Sequence, residues 1–105
     1  METALDTLNA KIFTAQLHTR FKVQPAAATP LELELFEVEE RDTSPKIELF
    51  SLRFRGPRTP RLPQQIHRLE HEKLGTFSIF LTAIGADEEG IAYESVFQRL
   101  RKKPA

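Results

Sequence analysis

The chain has 105 residues, the size of one ordinary domain with its own hydrophobic core. It contains no cysteine, which excludes disulfide frameworks, thiolate metal centres, iron–sulfur clusters and thiol nucleophiles. Fifteen basic residues balance fifteen acidic ones, so bulk charge points to neither nucleic acid nor an anionic membrane as partner.

Residues 3–17 read as a helix. Leu5, Leu8 and Ile12 recur at helical spacing, Thr3 with Asp6 makes a capping box, and no Gly or Pro interrupts. A short strand follows, with Phe21 and Val23 on one face and Arg20, Lys22 and Gln24 on the other. Two prolines then bound a loop, Pro25 to Pro30. Residues 31–39 alternate, but the phase flips: Leu31, Leu33 and Leu35 are odd, Phe36 and Val38 even. Residues 47–54 flip as well, from Ile47 and Leu49 to Phe50, Leu52 and Phe54, and Arg41 to Ser44 reads as a turn closed by Pro45. One register sets Leu33 against Leu52, Leu35 against Phe50, Phe36 against Leu49, Glu32 against Arg53 and Glu39 against Lys46. It predicts a long twisted hairpin that turns a corner between two packed layers, with Leu33 and Phe36 buried on opposite faces.

The remainder reads as a three-stranded meander. Residues 65–72 turn at Lys73-Leu74-Gly75 into 76–84, which passes through a polar loop, Gly85 to Glu89, into a last strand. Leu69 is placed opposite Ile79, His71 opposite Phe77 and Leu81 opposite Tyr93, with Ser78, Glu94 and Gln98 outside. The fold class is therefore mainly β: a small antiparallel sandwich or partly open barrel of about six strands with one N-terminal helix. Residues 1–98 make the domain, and 99–105, rich in Arg and Lys, read as a basic C-terminal tail removable at little cost. No signal peptide and no membrane-spanning run is visible, so a cytoplasmic location, or assembly into a larger particle, is expected.

The order and spacing of FSLRFRGP (50–57), LPQQIHRLEH (62–71), Leu74-Gly75, IFLTAIG (79–85) and YESVF (93–97) resemble a bacterial domain family of unknown function. Its members read approximately FSLxFRGP, LPQGxYxLEH, LG, FLxPxG and YEAVF. The resemblance implies a small β-rich domain and, through genomic company, a loose association with phage-tail-collar-like proteins. It implies no activity and no catalytic residues. Gln65 stands where the pattern prefers Gly, and His67 where it prefers an aromatic residue, usually Tyr.

His67-Arg68-Leu69-Glu70-His71 matches the inverzincin pattern H-x-x-E-H, and Pro63 and Gly75 would suit a helix start and stop. On the strand that the alternation and the resemblance both favour, the two histidines share a face but lie about 13 Å apart, too far for one ion. Glu70 falls on the opposite face. They are read as partly buried structural histidines. Asp87-Glu88-Glu89 lacks the alternating ligand spacing of a calcium loop and reads as a solvated turn. No G-x-S-x-G elbow and no glycine-rich phosphate loop occurs. No enzyme, cofactor or metal site is expected.

Charge is segregated along the chain. Residues 31–48 are acidic and 53–73 basic, which reads first as paired, solvated faces of neighbouring strands. The sharper reading is a basic patch, Arg53, Arg55, Arg58 and Arg61, that docks an acidic protein partner. The expected function is a non-catalytic structural or protein-interaction module of a larger bacterial or phage-tail-like assembly. The alternative is a small ligand- or glycan-binding β module, weakened by the lack of Trp and the single Tyr.

Overall fold

A computed structural model describes residues 3–24, 31–59 and 61–100. The proline-bounded loop expected at 25–30 and most of the expected tail lie outside them. Six antiparallel strands form one sheet: β1 Arg20–Gln24, β2 Glu32–Ser44, β3 Ile47–Gly56, β4 Gln65–His71, β5 Gly75–Asp87 and β6 Gly90–Leu100. The sheet closes into a barrel in the order β1-β2-β3-β6-β5-β4. Of the two expected architectures it is the barrel, and it is closed because β1 pairs with both neighbours: Phe21 lies opposite Leu33 of β2, and Val23 opposite Leu69 of β4. Closure removes the unpaired edges that an open sheet would offer to other chains. Strands β4, β5 and β6 follow one another as hairpins, while β3 lies beside β6 and reaches β4 through residues 57–64, a Greek-key arrangement.

The interior is filled by side chains. Phe21, Leu33, Leu35, Phe50, Leu52, Phe54, Leu69, Phe77, Leu81 and Tyr93 are all buried, so the barrel is a packed core and not a container.

The N-terminal helix is much shorter than the spacing predicts. A 3-10 turn, Leu5–Thr7, is followed by α1, Ala10–Thr14. The helix breaks at Leu8 and Asn9, both extended, and the Asn9 side chain caps α1 by accepting from the Ile12 N–H at 2.9 Å. Thr3 does not cap: its N–H donates to Thr76 O at 2.6 Å and its hydroxyl to Leu74 O at 2.7 Å, on the β4–β5 hairpin. The break lets the segment bury Leu8 and also seat Phe13 in the end of the barrel, where its ring meets those of Phe50, Phe77 and Phe97 at 6.2, 5.9 and 6.0 Å.

The expected β2–β3 register is wrong, and so is the corner. Leu35 lies opposite Phe54, Glu37 opposite Arg53 and Val38 opposite Leu52, with the turn at Pro45-Lys46. The phase flip in β2 is a β-bulge at Phe36, between Leu35 and Glu37. One extra residue swaps inside for outside without any change of layer. Leu33 is fully buried in the core, whereas Phe36 is half-buried beneath Arg55 on the outside.

The meander keeps its expected faces but slips by two residues. Leu69 lies opposite Phe77 and His67 opposite Ile79; Tyr93 lies opposite Ala83. An even slip preserves the alternation, so periodicity could not detect it. The turns decide it: Glu72–Leu74 precede Gly75 at φ 84°, and β5 runs through the expected loop to a two-residue turn, Glu88-Glu89, before Gly90 at φ 139°. A Cβ on Gly90 would collide with Gly56 O. A second bulge sits at Ile84, between Ala83 and Gly85.

At the far end β6 continues through Leu100, so Arg99 and Leu100, placed in the tail by the sequence, are strand residues paired with Glu48 and Ile47. Arg99 donates to Glu48 Oε1 at 2.8 Å, to Leu5 O at 2.9 Å and to Leu8 O. It thereby ties β3 and β6 to the N-terminal segment.

Candidate functional site

The four candidate arginines differ in how they are partnered. Arg53, on the outer face of β3 between β2 and β6, donates to Glu37 at 2.6 Å, Glu39 at 3.0 Å and Glu94 at 3.1 Å. The hydrogen bond that it donates to Glu37 holds the Arg53 guanidinium pKa above the ordinary range, and Arg53, followed by Arg41, holds Glu39 below the usual carboxylate range. Arg55 lies 4.5 Å over the Phe36 ring and pairs with Glu89 at 2.8 Å. The acids and bases of β2 and β3 thus largely face each other across the sheet. Arg58 and Arg61 are different. Both lie exposed on the β3–β4 connection, and neither makes an ion pair among the described residues.

His67 and His71 lie on the inward face of β4, both buried. His67 Nε2 bonds Pro63 O at 2.8 Å, an acceptor that requires the proton on Nε2. His71 is the better-built group. Its Nδ1 accepts from the N–H groups of Lys73 at 3.0 Å and Leu74 at 3.2 Å, and so organises the β4–β5 turn. Its Nε2 lies 2.8 Å from Thr19 Oγ1, which donates to Gln16 O at 2.7 Å. With Nδ1 occupied as an acceptor, Nε2 carries the proton and donates to the threonine. A His–Thr contact of this length resembles a base and nucleophile, but the proton runs the wrong way for base catalysis. Burial pushes the His71 pKa down, with Glu72 opposing and Lys73 assisting; protonation would also break both turn bonds. Among the described residues no three metal-ligating side chains gather.

A polar cleft of about 660 Å3 opens beside this turn, between Arg20, Lys22 and Lys73 on the one hand and Glu32, Glu70 and Glu72 on the other. Its charges alternate in sign, and it selects no ligand class. Asp87 caps its own turn by accepting from the N–H groups of Glu89 at 2.8 Å and Gly90 at 3.2 Å.

The surface that sequence reasoning missed lies on the outside of β4, β5 and β6. Ile66 and Phe80 are direct cross-strand partners and are 66% and 47% exposed. Val96, two residues beyond Glu94 on the same outer face of β6, is 57% exposed, and Ile84, at the β5 bulge, 48%. The signal was present. The alternation that places Ser78, Glu94 and Gln98 outside also places Ile66, Phe80 and Val96 there, apolar residues in the polar phase.

The model of a family described as a domain of unknown function, DUF6916, matches residues 8–97, from Leu8 in the N-terminal segment to Phe97 in the last strand, and the chain belongs to that family. No curated protein and no solved structure matches it.

Proposed function

We propose that this family member is a non-catalytic protein-interaction module, a subunit or accessory of a larger bacterial or phage-tail-like assembly. The observation that carries this reading is the outer stripe of Ile66, Phe80 and Val96, each about half or more exposed on a barrel whose core is already full. Burying such side chains against a partner gains roughly 25 cal/mol per Å2 of apolar surface, and contiguous apolar surface of this kind marks interaction sites. The reversed proton order of His71 and Thr19 supports a non-catalytic role.

The alternative, a small ligand- or glycan-binding module, has the polar cleft in its favour. Against it, the one tyrosine of the chain is buried in the core, and the cleft offers no exposed ring for a sugar to stack on. The test is site-specific photocrosslinking in the native cell. A crosslinker at position 80 is expected to trap a discrete protein adduct, and one at Glu40, exposed on β2, is not. No adduct at position 80, together with saturable binding on a glycan array, would replace this reading by the alternative.

A further inference from the structure

The last part of the β3–β4 connection, residues 61–64, lies against the barrel. It is held down by Leu62, whose N–H donates to the buried Tyr93 hydroxyl at 2.9 Å, and by Pro63, whose carbonyl bonds His67 at 2.8 Å. This anchoring presents Arg61 between two shallow hollows. One, about 220 Å3, is formed with Leu62, Pro63, Gln64 and Ala83. The other, about 290 Å3, is formed with Ala83, Ile84, Gly85, Ala86 and Ile91. The side chains around Arg61 are thus mostly apolar and include the exposed Ile84, while Arg61 itself has no carboxylate partner among the described residues. Elsewhere on the sheet Arg53, Arg55 and Arg99 are each matched by an acid. Gly85 adds a second feature: a Cβ built on it meets nothing within 4 Å, so the floor at the bulge is open for a side chain to approach.

From this juxtaposition we infer that the Arg61 hollows receive an extended segment of a protein partner that carries an acidic side chain next to an apolar one. The carboxylate meets Arg61, which presents the planar donors suited to it. The apolar neighbour fills the hollow floored by Ala83, Gly85 and Ile91. A purely acidic ligand leaves the floor wet, and a purely apolar one leaves the arginine unmatched; complementarity requires both. The inference rests on the interaction reading above and adds to it the place and the chemistry of contact.

The test uses the full chain and an unbiased displayed library of random dodecapeptides as the probe. Enriched peptides are then titrated by fluorescence anisotropy against the wild type and three variants. Arg61→Glu reverses the rim charge, and Gly85→Gln fills the floor in a direction where the fold has space. Phe80→Ser removes the centre of the separate outer stripe. Thermal melts check that each variant folds. Enriched sequences are expected to pair Asp or Glu with Leu, Ile, Val or Phe. Their affinity is expected to fall at least tenfold in Arg61→Glu and in Gly85→Gln, to weaken as salt is raised, and to be unchanged in Phe80→Ser. Peptides lacking acidic residues, or affinity unaffected by Arg61→Glu, would overturn the assignment. If binding is instead lost only in Phe80→Ser, the hollows are wrong while the interaction module stands. If no peptide is enriched and position 80 crosslinks to nothing, both readings fall.

Discussion

Replacing Arg99 by methionine keeps most of the apolar stem and removes a guanidinium that donates to the Glu48 carboxylate and to the Leu5 and Leu8 carbonyls. The guanidinium also lies 5.5 and 5.6 Å from the centres of the Phe50 and Phe97 rings. A hydrogen bond to a charged group contributes about 1.5–3 kcal/mol net. The Arg99 side chain is 24% accessible and that of Glu48 15%, so water takes over part of the lost bonding. Three such bonds, discounted for that access, give a loss of about 2–4 kcal/mol. For a domain of this size that lowers the melting temperature by at least about 8 °C. Urea unfolding at neutral pH, with an unchanged m value, measures it. Glu48→Gln and the double variant complete a cycle in which the two losses are expected to be clearly non-additive. A chain ending at Gln98 is expected to lose at least as much relative to one ending at Leu100. If Arg99→Met costs less than about 1 kcal/mol, the size of an ordinary surface change, the basic C-terminus behaves as the tail that the composition suggests and the anchoring role is refuted.

In the β2 hairpin, Leu33→Ala is expected to cost about 2–5 kcal/mol by opening a core cavity, whereas Phe36→Ala, at the bulge, is expected to cost about 1–2 kcal/mol, from partial burial and the lost Arg55 contact; equal losses in denaturant unfolding would restore the corner-turning hairpin. For His71 the folded pKa lies below that of the unfolded chain. Its contribution to stability is therefore complete above the unfolded value of about 6.5 and declines as pH falls through the window down to the folded value, because the unfolded state binds the proton first. His71→Asn, whose side-chain carbonyl can still accept from the turn N–H groups, is expected to be less stable at neutral pH but to lose less between pH 7 and 5, measured by urea midpoints; parallel pH curves would contradict this. His67→Phe is expected to be tolerated within about 1 kcal/mol, since it gives up one bond to Pro63 O for an aromatic fill, and neither zinc nor a chelator should move the melting temperature. Stoichiometric zinc in the purified chain, lost in His71→Ala, would overturn the structural role of both histidines.

Much of the strand content was legible because side-chain alternation is local. Phe21, Leu33, Leu35, Phe50, Leu52, Phe54 and Tyr93 read as inward from their neighbours alone, and they are inward. The two histidines could be assigned to a strand and kept apart for the same reason. The phase flip of β2 was equally visible, but its cause was not: a bulge and a change of layer produce the same pattern along the chain, and only the opposing strand, with Leu35 against Phe54 and Val38 against Leu52, distinguishes them. The tail was misread because Arg99 has no apolar periodicity, while its role comes from carbonyls more than ninety residues away. The candidate arginines could be named by composition, yet their division into matched and unmatched pairs depends on which strands become neighbours.

By itself, then, the sequence determined the strand content, which residues face the core and the exclusion of thiol chemistry, all properties of short-range pattern and composition. The tertiary structure alone decided the closure of the barrel, the two-residue slips, the breaking of the helix at Asn9 and the placing of Arg61 beside Ala83 and Ile91. Registers that differ by an even number preserve every inward and outward assignment, so no periodicity can choose between them. The choice falls to turn geometry at Gly75 and Gly90, where φ is positive, and to the fit of Phe13 among three rings contributed by three different strands.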